Sequence, residues 1–251
     1  MNVLYPITRA ICDGIVGLAP HLFARSLRRR HLDVFVAEGC KAASSFAWGN
    51  VTVRQTPDGF EDLAFLFWNT PLNRGLLRQD FDEAATLFKL VRSIPQARGV
   101  EIGRFYGAST FLLAAAVGPR GRVTSIDISP PSDAALRRVL NDARMSDRVD
   151  LIVADANDVQ LPGPFDFVFI DGDHRYEPAK RDHNKWGQLI RVGGYIIHHD
   201  MAKEREYATQ WEDLQKLRAE VLAKQQHVME LAVESGSMVG FKRTSPLWAS
   251  V

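Results

Sequence analysis

The chain has almost no net charge. Over 251 residues, 31 Lys and Arg stand against 30 Asp and Glu, a formal balance of +1. Such a chain sets up no long-range field for a phosphate backbone, and no nucleic-acid partner is expected. Cysteine is scarce as well. Cys12 and Cys40 allow at most one disulfide and are too few for a structural zinc site without several histidines. A reducing, cytoplasmic setting is the expectation. Long apolar runs are also missing: the uncharged stretch 105–119 falls short of the roughly 20 apolar residues that a spanning helix needs. Asp13 interrupts the apolar residues near the start, and no small-residue cleavage site follows it. Neither a transmembrane segment nor a signal peptide is expected.

What is present is a globular content of 46% hydrophobic residues whose rhythm changes along the chain. Residues 1–48 show loosely helical apolar spacing, broken by Pro6 and Pro20 and by the basic cluster Arg25, Arg28, Arg29 and Arg30. They are expected to form helices with a solvated charged face. From Val51 the residues turn β-type, then Thr56-Pro57-Asp58-Gly59 marks a turn, and Leu63, Phe65, Leu66, Phe67 and Trp68 are assigned to the core. Phe81, Ala84, Ala85, Phe88, Val91 and Ile94 recur at spacings of three and four, which predicts an amphipathic helix ending before Pro95.

Beyond Val100, short β-rich runs alternate with helical ones. Strands are expected at Val100–Gly103, Arg122–Ile128, Val149–Ala154, Phe165–Ile170 and Gly194–His199, with helices over Ser109–Val117, Asp133–Ala143 and Arg175–Ile190 between them. This alternation predicts an α/β fold with a doubly wound parallel sheet covered on both faces. A long helix from Lys203 to about Gln226 and a hairpin around Glu234-Ser235-Gly236 complete it. The predicted organisation is a mainly helical extension over 1–80 that could serve as an acceptor lid, one domain over 81–243 and a tail over 244–251. The apolar content of the extension offers a surface for homo-oligomerisation.

In open parallel sheets the ligand lies beyond the carboxyl ends of the strands. Glu101, Asp127, Asp155, Asp171 and Asp200 close or follow the five strands. Helix capping accounts for one or two such acids, not for five. In the first turn, Gly103 and Gly107 let the backbone approach a ligand closely, and the following helix offers free N–H groups. The pyrophosphate fingerprint of a nicotinamide-dependent oxidoreductase needs a glycine where this chain has Phe105, which counts against that alternative. Strand alternation predicts that His198 and Asp200 share one side and that His199 is turned away.

The stretches VEIGRFYGAST, TSIDIS, VADAND, FIDGDHRYEPAKRD and VGGYIIHHD, in this order, resemble the class I S-adenosylmethionine-dependent methyltransferases. The resemblance is strongest to the small-molecule O-methyltransferase branch whose fourth strand ends in Asp-Gly-Asp-His, and it covers roughly residues 80 to 243. It implies a Rossmann-like seven-stranded sheet with an antiparallel C-terminal hairpin and S-adenosylmethionine as cofactor. The implied acceptor is the hydroxyl of a small molecule, a sugar or a secondary metabolite. Carried over by position, Glu101, Gly103 and Gly107 would line the methionine portion, with Ser109 and Thr110 near its carboxylate. Asp127 would bind the ribose hydroxyls, and Asp155 with Ala156 the adenine. His174 would be the base and Asp171 its catalytic partner. Asp171 and Asp200, on strands that are neighbours in this fold, would share a magnesium or another divalent cation. Met201 stands where the metal-dependent relatives carry a further Asn or Asp, which leaves Asp173, His198 or His199 to complete the set. A protein that keeps the cofactor pocket for assembly without turnover has the same pocket residues, and His174 and Asp171 are what tells the two apart.

Overall fold

Strands covered by helices on both faces read as apolar runs, and such runs recur between 98 and 198. The computed structural model describes residues 34–36, 48, 51–67, 76–202, 211–225, 228–231 and 237–251. A short antiparallel pair, β1 (Val34–Val36) and β2 (Val51–Val53), precedes a 3-10 helix over Phe60–Phe67. Helix α1 (Phe81–Arg92) leads into β3 (Arg98–Ile102), α2 (Ala108–Val117), β4 (Arg122–Asp127), α3 (Asp133–Asp142) and β5 (Val149–Val153). The chain continues through β6 (Phe165–Ile170), α4 (Tyr176–Gly187), β7 (Ile190–His198), α5 (Trp211–Lys224), β8 (Val228–Leu231) and β9 (Val239–Arg243).

The large sheet has the order β5-β4-β3-β6-β7-β9-β8, and only β9 runs against its neighbours β7 and β8. This is a Rossmann-like α/β layout with an antiparallel C-terminal hairpin. The period of two along each strand divides the core. On β6, Phe167 and Phe169 enter the layer formed with α1, α2 and α3, whereas Val168 and Ile170 enter the layer formed with α4 and α5. Helix α2 is uncharged and buries all ten of its residues, because α1 covers the side that the sheet leaves open. Among the described residues no helix is long and apolar enough to cross a membrane.

Of the extension expected over 1–80, most of the part read as helical lies outside the described residues; those described form β1, β2 and the 3-10 helix, and β2 agrees with the β-type reading from Val51. The alternating Val-Thr-Val of β2 suits a pleated pair, in which β-branched side chains pack well. Cys12, Cys40, the basic cluster and Trp68 lie outside the described residues. Trp48 anchors this part to the domain: it is fully buried against Phe65 and Phe111, and its indole N–H donates to the Tyr106 carbonyl at 2.7 Å.

Residues 244–251, expected as a tail, have partners in the domain. They pack on α4. Asn184 holds Val251 from both sides, accepting from its N–H at 2.9 Å and donating to its carbonyl at 3.3 Å. Trp248 fills the space over Gly187, where an added Cβ would come within 2.2 Å of the indole. The Arg243 guanidinium donates to the carbonyls of Gln188, Ile190, Ser245 and Pro246. Truncation before Ser245 is therefore expected to cost about 3 kcal/mol, the low end for losing a packed tryptophan, measured as a shift of the urea midpoint. A truncated chain as stable as the full one would show that the segment is not part of the core.

Candidate active site

Parallel strands end together, so their last side chains share one edge. The order of connection reverses between β3 and β6, which opens a crevice at that edge. The crevice has a volume of about 450 Å³, and Gly103, Asp127, Asp155, Ala156 and Asp171 all line it. Ile126, Ile128 and Pro178 supply an apolar wall. Acids thus surround a space shaped for a partly apolar, cationic guest.

The loop after β3 is held by charge. Gly103 has φ +83°, and a Cβ there would lie 2.3 Å from the Asp171 carbonyl oxygen, so glycine is required by both backbone and space. Arg104, only 2% exposed, turns inward. Its guanidinium forms a two-pronged pair with Asp133 at 2.7 and 2.8 Å and donates to the carbonyls of Ser125 and Ile152. Asp127 then fastens the same loop: its Oδ2 accepts from the N–H groups of Arg104 and Phe105, and its Oδ1 from Ser129. A carboxylate oxygen has two acceptor sites, so Oδ1 keeps one for a ligand. Phe105 takes φ +50° and stands exposed beneath the Arg78 guanidinium. Gly107, the N-cap of α2, does not face the crevice; a Cβ there would strike Leu136 at 2.4 Å.

Glu101 and Thr110 sit behind the crevice, fully buried. The Glu101 Oε2 accepts from the hydroxyls of Thr110 and Ser125, each at 2.5 Å, while Oε1 has no hydrogen-bond partner among the described residues. Burial pushes its pKa up despite these donors. A buried carboxyl with one oxygen left over is what an arriving ammonium group would complete. Ser109 lines a smaller neighbouring cavity of about 70 Å³, together with Gln79, Asp171 and His199.

At the opposite end, Asp155 Oδ1 accepts from the N–H and the side-chain amide of Asn157. The same Asn157 amide reaches Asp182 on α4 at 3.2 Å. Burial first, and then the negative Asp155, push the Asp182 pKa up to about 6. Arg104 was not singled out from the sequence; a lone cation between two glycines facing an acidic rim was the available signal.

The third group lies on the α1 face. His199 stands between the two acids expected to share a cation, its Nδ1 3.0 Å from Asp171 Oδ1 and 3.4 Å from Asp200 Oδ2. His174 closes the ring, with Nε2 3.4 Å from Asp171 Oδ1 and Nδ1 3.8 Å from Asp200 Oδ2. Glu83 of α1 faces His199 Nε2 at 3.5 Å. Burial alone would lower the His199 pKa, but Asp171, Asp200 and Glu83 outweigh it and hold it well above 6.5. Burial likewise opposes charge on Glu83, yet His199, Ser237 and the Asp80 amide bring its pKa down to about 2.

The expectation that His199 turns away is corrected. Alternation does hold through 197, 198 and 199, but Asp171 is on the side of the odd-numbered residues. The register that pairs Ile170 with His198 sets Asp171 beside His199. Asp200 then takes φ +56°, which brings it back to the same group. His198 faces the other layer, where its Nε2 meets His183 Nδ1 at 2.9 Å. Met201 is fully buried and apolar. Two carboxylates separated by imidazoles do not suit magnesium, which wants an octahedron of oxygens.

The comparisons with known proteins bear on this edge. Residues 100–201 match a methyltransferase domain. The chain is 38% identical over 113 residues to catechol O-methyltransferase of Mycobacterium tuberculosis, covering 43% of this chain and 50% of that protein. It is 29% identical over 135 residues to tricin synthase 1 of Oryza sativa subsp. japonica, covering 49% and 53%. The chain thus spans about half the length of the curated relatives it matches. An O-methyltransferase from Bacillus cereus solved in complex with SAH shares the fold, with a TM-score of 0.51, 22% identity and coverage of 65% of this chain and 80% of that one.

Asp182 yields a prediction. Its folded pKa lies above the ordinary 3.8, so between about pH 4 and 6 the unfolded chain gives up a proton that the folded one keeps, and stability falls as pH rises through that window. Asp182→Asn removes the strain while keeping an acceptor for Asn157. It should stabilise the protein by about 1–3 kcal/mol at pH 8 and by little at pH 4. Urea unfolding at both pH values tests this; an equal effect at the two would show that Asp182 ionisation is not the cause.

Proposed function

We propose that the chain is an S-adenosylmethionine-dependent O-methyltransferase acting on a hydroxyl of a small molecule, a sugar or a secondary metabolite. The observation that carries this reading is the crevice at the β3/β6 switch point, where one acid-lined space runs past Gly103 to Asp171, beside which His174 stands. The match of residues 100–201 to a methyltransferase domain supports it, as do the relatives whose names are those of O-methyltransferases.

The residues suit the cofactor in three places. The free acceptor site on Asp127 Oδ1 suits a ribose hydroxyl. Asp155, Ala156 and the apolar wall suit adenine. Glu101, with its uncommitted Oε1, and the nearby Ser109 and Thr110 suit the methionine end. When bound, the cofactor supplies a methyl group on a cationic sulfur, ready for displacement.

The chain supplies alignment and a place for the proton. The acceptor hydroxyl is directed to His174, whose side chain is partly open to solvent at the edge of the ring. His174 takes the hydroxyl proton, and Asp171, 3.4 Å away, orients the ring. The acidic rim favours a positively charged cofactor over a negatively charged pyrophosphate, which agrees with Phe105 in the loop.

Calorimetry with S-adenosylhomocysteine tests the cofactor: wild type should bind, and Asp127→Ala should bind at least about tenfold more weakly, the loss of one charge-assisted hydrogen bond. Labelled methyl transfer to a panel of hydroxylated acceptors tests the reaction. His174→Ala should lower kcat by about 10²–10⁴ without loss of S-adenosylhomocysteine binding. Unchanged transfer in that variant would remove the base role, and cofactor binding with no transfer to any acceptor would favour an assembly protein.

A further inference from the structure

The ring of Asp171, His199, Asp200 and His174 contains a pattern that base catalysis does not require. Each imidazole turns one nitrogen to Asp171 and the other to a separate carboxylate. His199 places Nδ1 3.0 Å from Asp171 Oδ1 and Nε2 3.5 Å from Glu83 Oε2. His174 places Nε2 3.4 Å from the same Asp171 oxygen and Nδ1 3.8 Å from Asp200 Oδ2. Histidines that bind metals are oriented in this way, with an outer carboxylate fixing the tautomer and an inner nitrogen left as donor.

The inner nitrogens are also underused. His199 is only 6% exposed, yet among the described residues neither of its nitrogens has strict hydrogen-bond geometry to a neighbour, close as the carboxylates are, and the same holds for His174 Nε2. One atom each from Asp171, His174 and His199 lies within 4.8 Å of the others. A tetrahedral or octahedral ion with bonds of ~2.1 Å spaces its ligand atoms ~3.0–3.4 Å apart, which matches the two short edges of this triplet. The outer carboxylates are themselves fixed. Glu83 accepts from the Asp80 N–H at 2.9 Å and from the N–H and hydroxyl of Ser237, and that hydroxyl also donates to Asp200 Oδ1 at 2.8 Å.

We infer that Asp171 Oδ1, His174 Nε2 and His199 Nδ1 form a site for a first-row transition-metal ion and not for magnesium. Two imidazoles and one carboxylate are a borderline donor set, which favours zinc, iron, cobalt or nickel over the hard cations that want oxygen alone. Three protein donors leave open positions for an incoming hydroxyl. The inference rests on the reading that the acceptor hydroxyl reaches this ring, and it revises one part of it. With an ion in place, His174 would hold it through Nε2, the metal would make a bound hydroxyl more acidic, and the proton would leave to solvent water at the partly open edge of the ring. Glu83 is then a positioning residue that acts through His199.

The test measures metal directly, because His174→Ala lowers turnover under either role. The full chain is stripped with a chelator and titrated by calorimetry with Zn²⁺ and with Mg²⁺, and by visible absorption with Co²⁺. One Zn²⁺ per chain is expected, bound at least about 100-fold more tightly than Mg²⁺, with cobalt giving d–d bands. His174→Ala and His199→Ala should each abolish those bands. Glu83→Ala should weaken Zn²⁺ binding about 10- to 100-fold, and Glu83→Gln, which keeps an acceptor for His199, should weaken it less. S-adenosylhomocysteine binding by the same samples should persist and so report the fold. Magnesium binding as tight as zinc, zinc binding that survives both histidine substitutions, or no ion bound at all would each overturn the inference. If the ion binds and S-adenosylhomocysteine does not, the metal site stands and the methyltransferase reading falls; the reverse result removes only the metal.

Discussion

The constraint on which this structure depends is the gathering of acids at one edge of a parallel sheet. Because parallel strands end side by side, Glu101, Asp127, Asp155, Asp171 and Asp200 are brought within one neighbourhood, Glu101 fully buried and the other four half-buried. Each then needs a partner, since a buried carboxylate without one is costly. The chain meets the need differently at each strand. Hydroxyls of Thr110 and Ser125 serve Glu101, backbone N–H groups serve Asp127, Asn157 serves Asp155, and imidazoles serve Asp171 and Asp200. Arg104 is the one buried cation of the glycine loop, and its hold on Asp133 and on carbonyls within β4 and β5 couples that loop to those two strands.

The sheet also separates two kinds of chemistry. The cofactor-shaped crevice opens over β3, β4 and β6, whereas the imidazole ring gathers on the α1 face, where Glu83 reaches it. Asp171 belongs to both, lining the crevice and touching His174 and His199. A methyl donor on one side and an acceptor hydroxyl on the other would therefore meet at the end of β6. Glu83 shows how economical this is: one carboxylate closes the α1 capping box through Asp80 and also sets the orientation of His199.

Much of the fold was legible in the residues themselves. Alternating apolar runs located β3 to β7 and the helices between them within a few residues, because fully buried strands and amphipathic helices carry distinct periods. The glycine turn and the acids at the strand ends could be placed for the same reason, since spacing along a βα unit maps directly onto the sheet edge. The tail was not legible: nothing in Ser245 to Val251 announces that Asn184 and Gly187, some 60 residues away, are shaped to receive it. Glu83 was hidden for another reason, as a cap in sequence and a histidine partner only in space.

The amino-acid order by itself thus determined the class of fold, the direction of the strands and which residues reach the functional edge, because these follow from local periodicity and turn chemistry. Tertiary structure decided which face is active. Pairing of Ile170 with His198 puts His199 beside Asp171, and the left-handed Asp200 returns to join them. A shift of one residue in that register would have exchanged His198 for His199, since side chains alternate with a period of two. Register is set by packing between distant strands, and no window of sequence contains it.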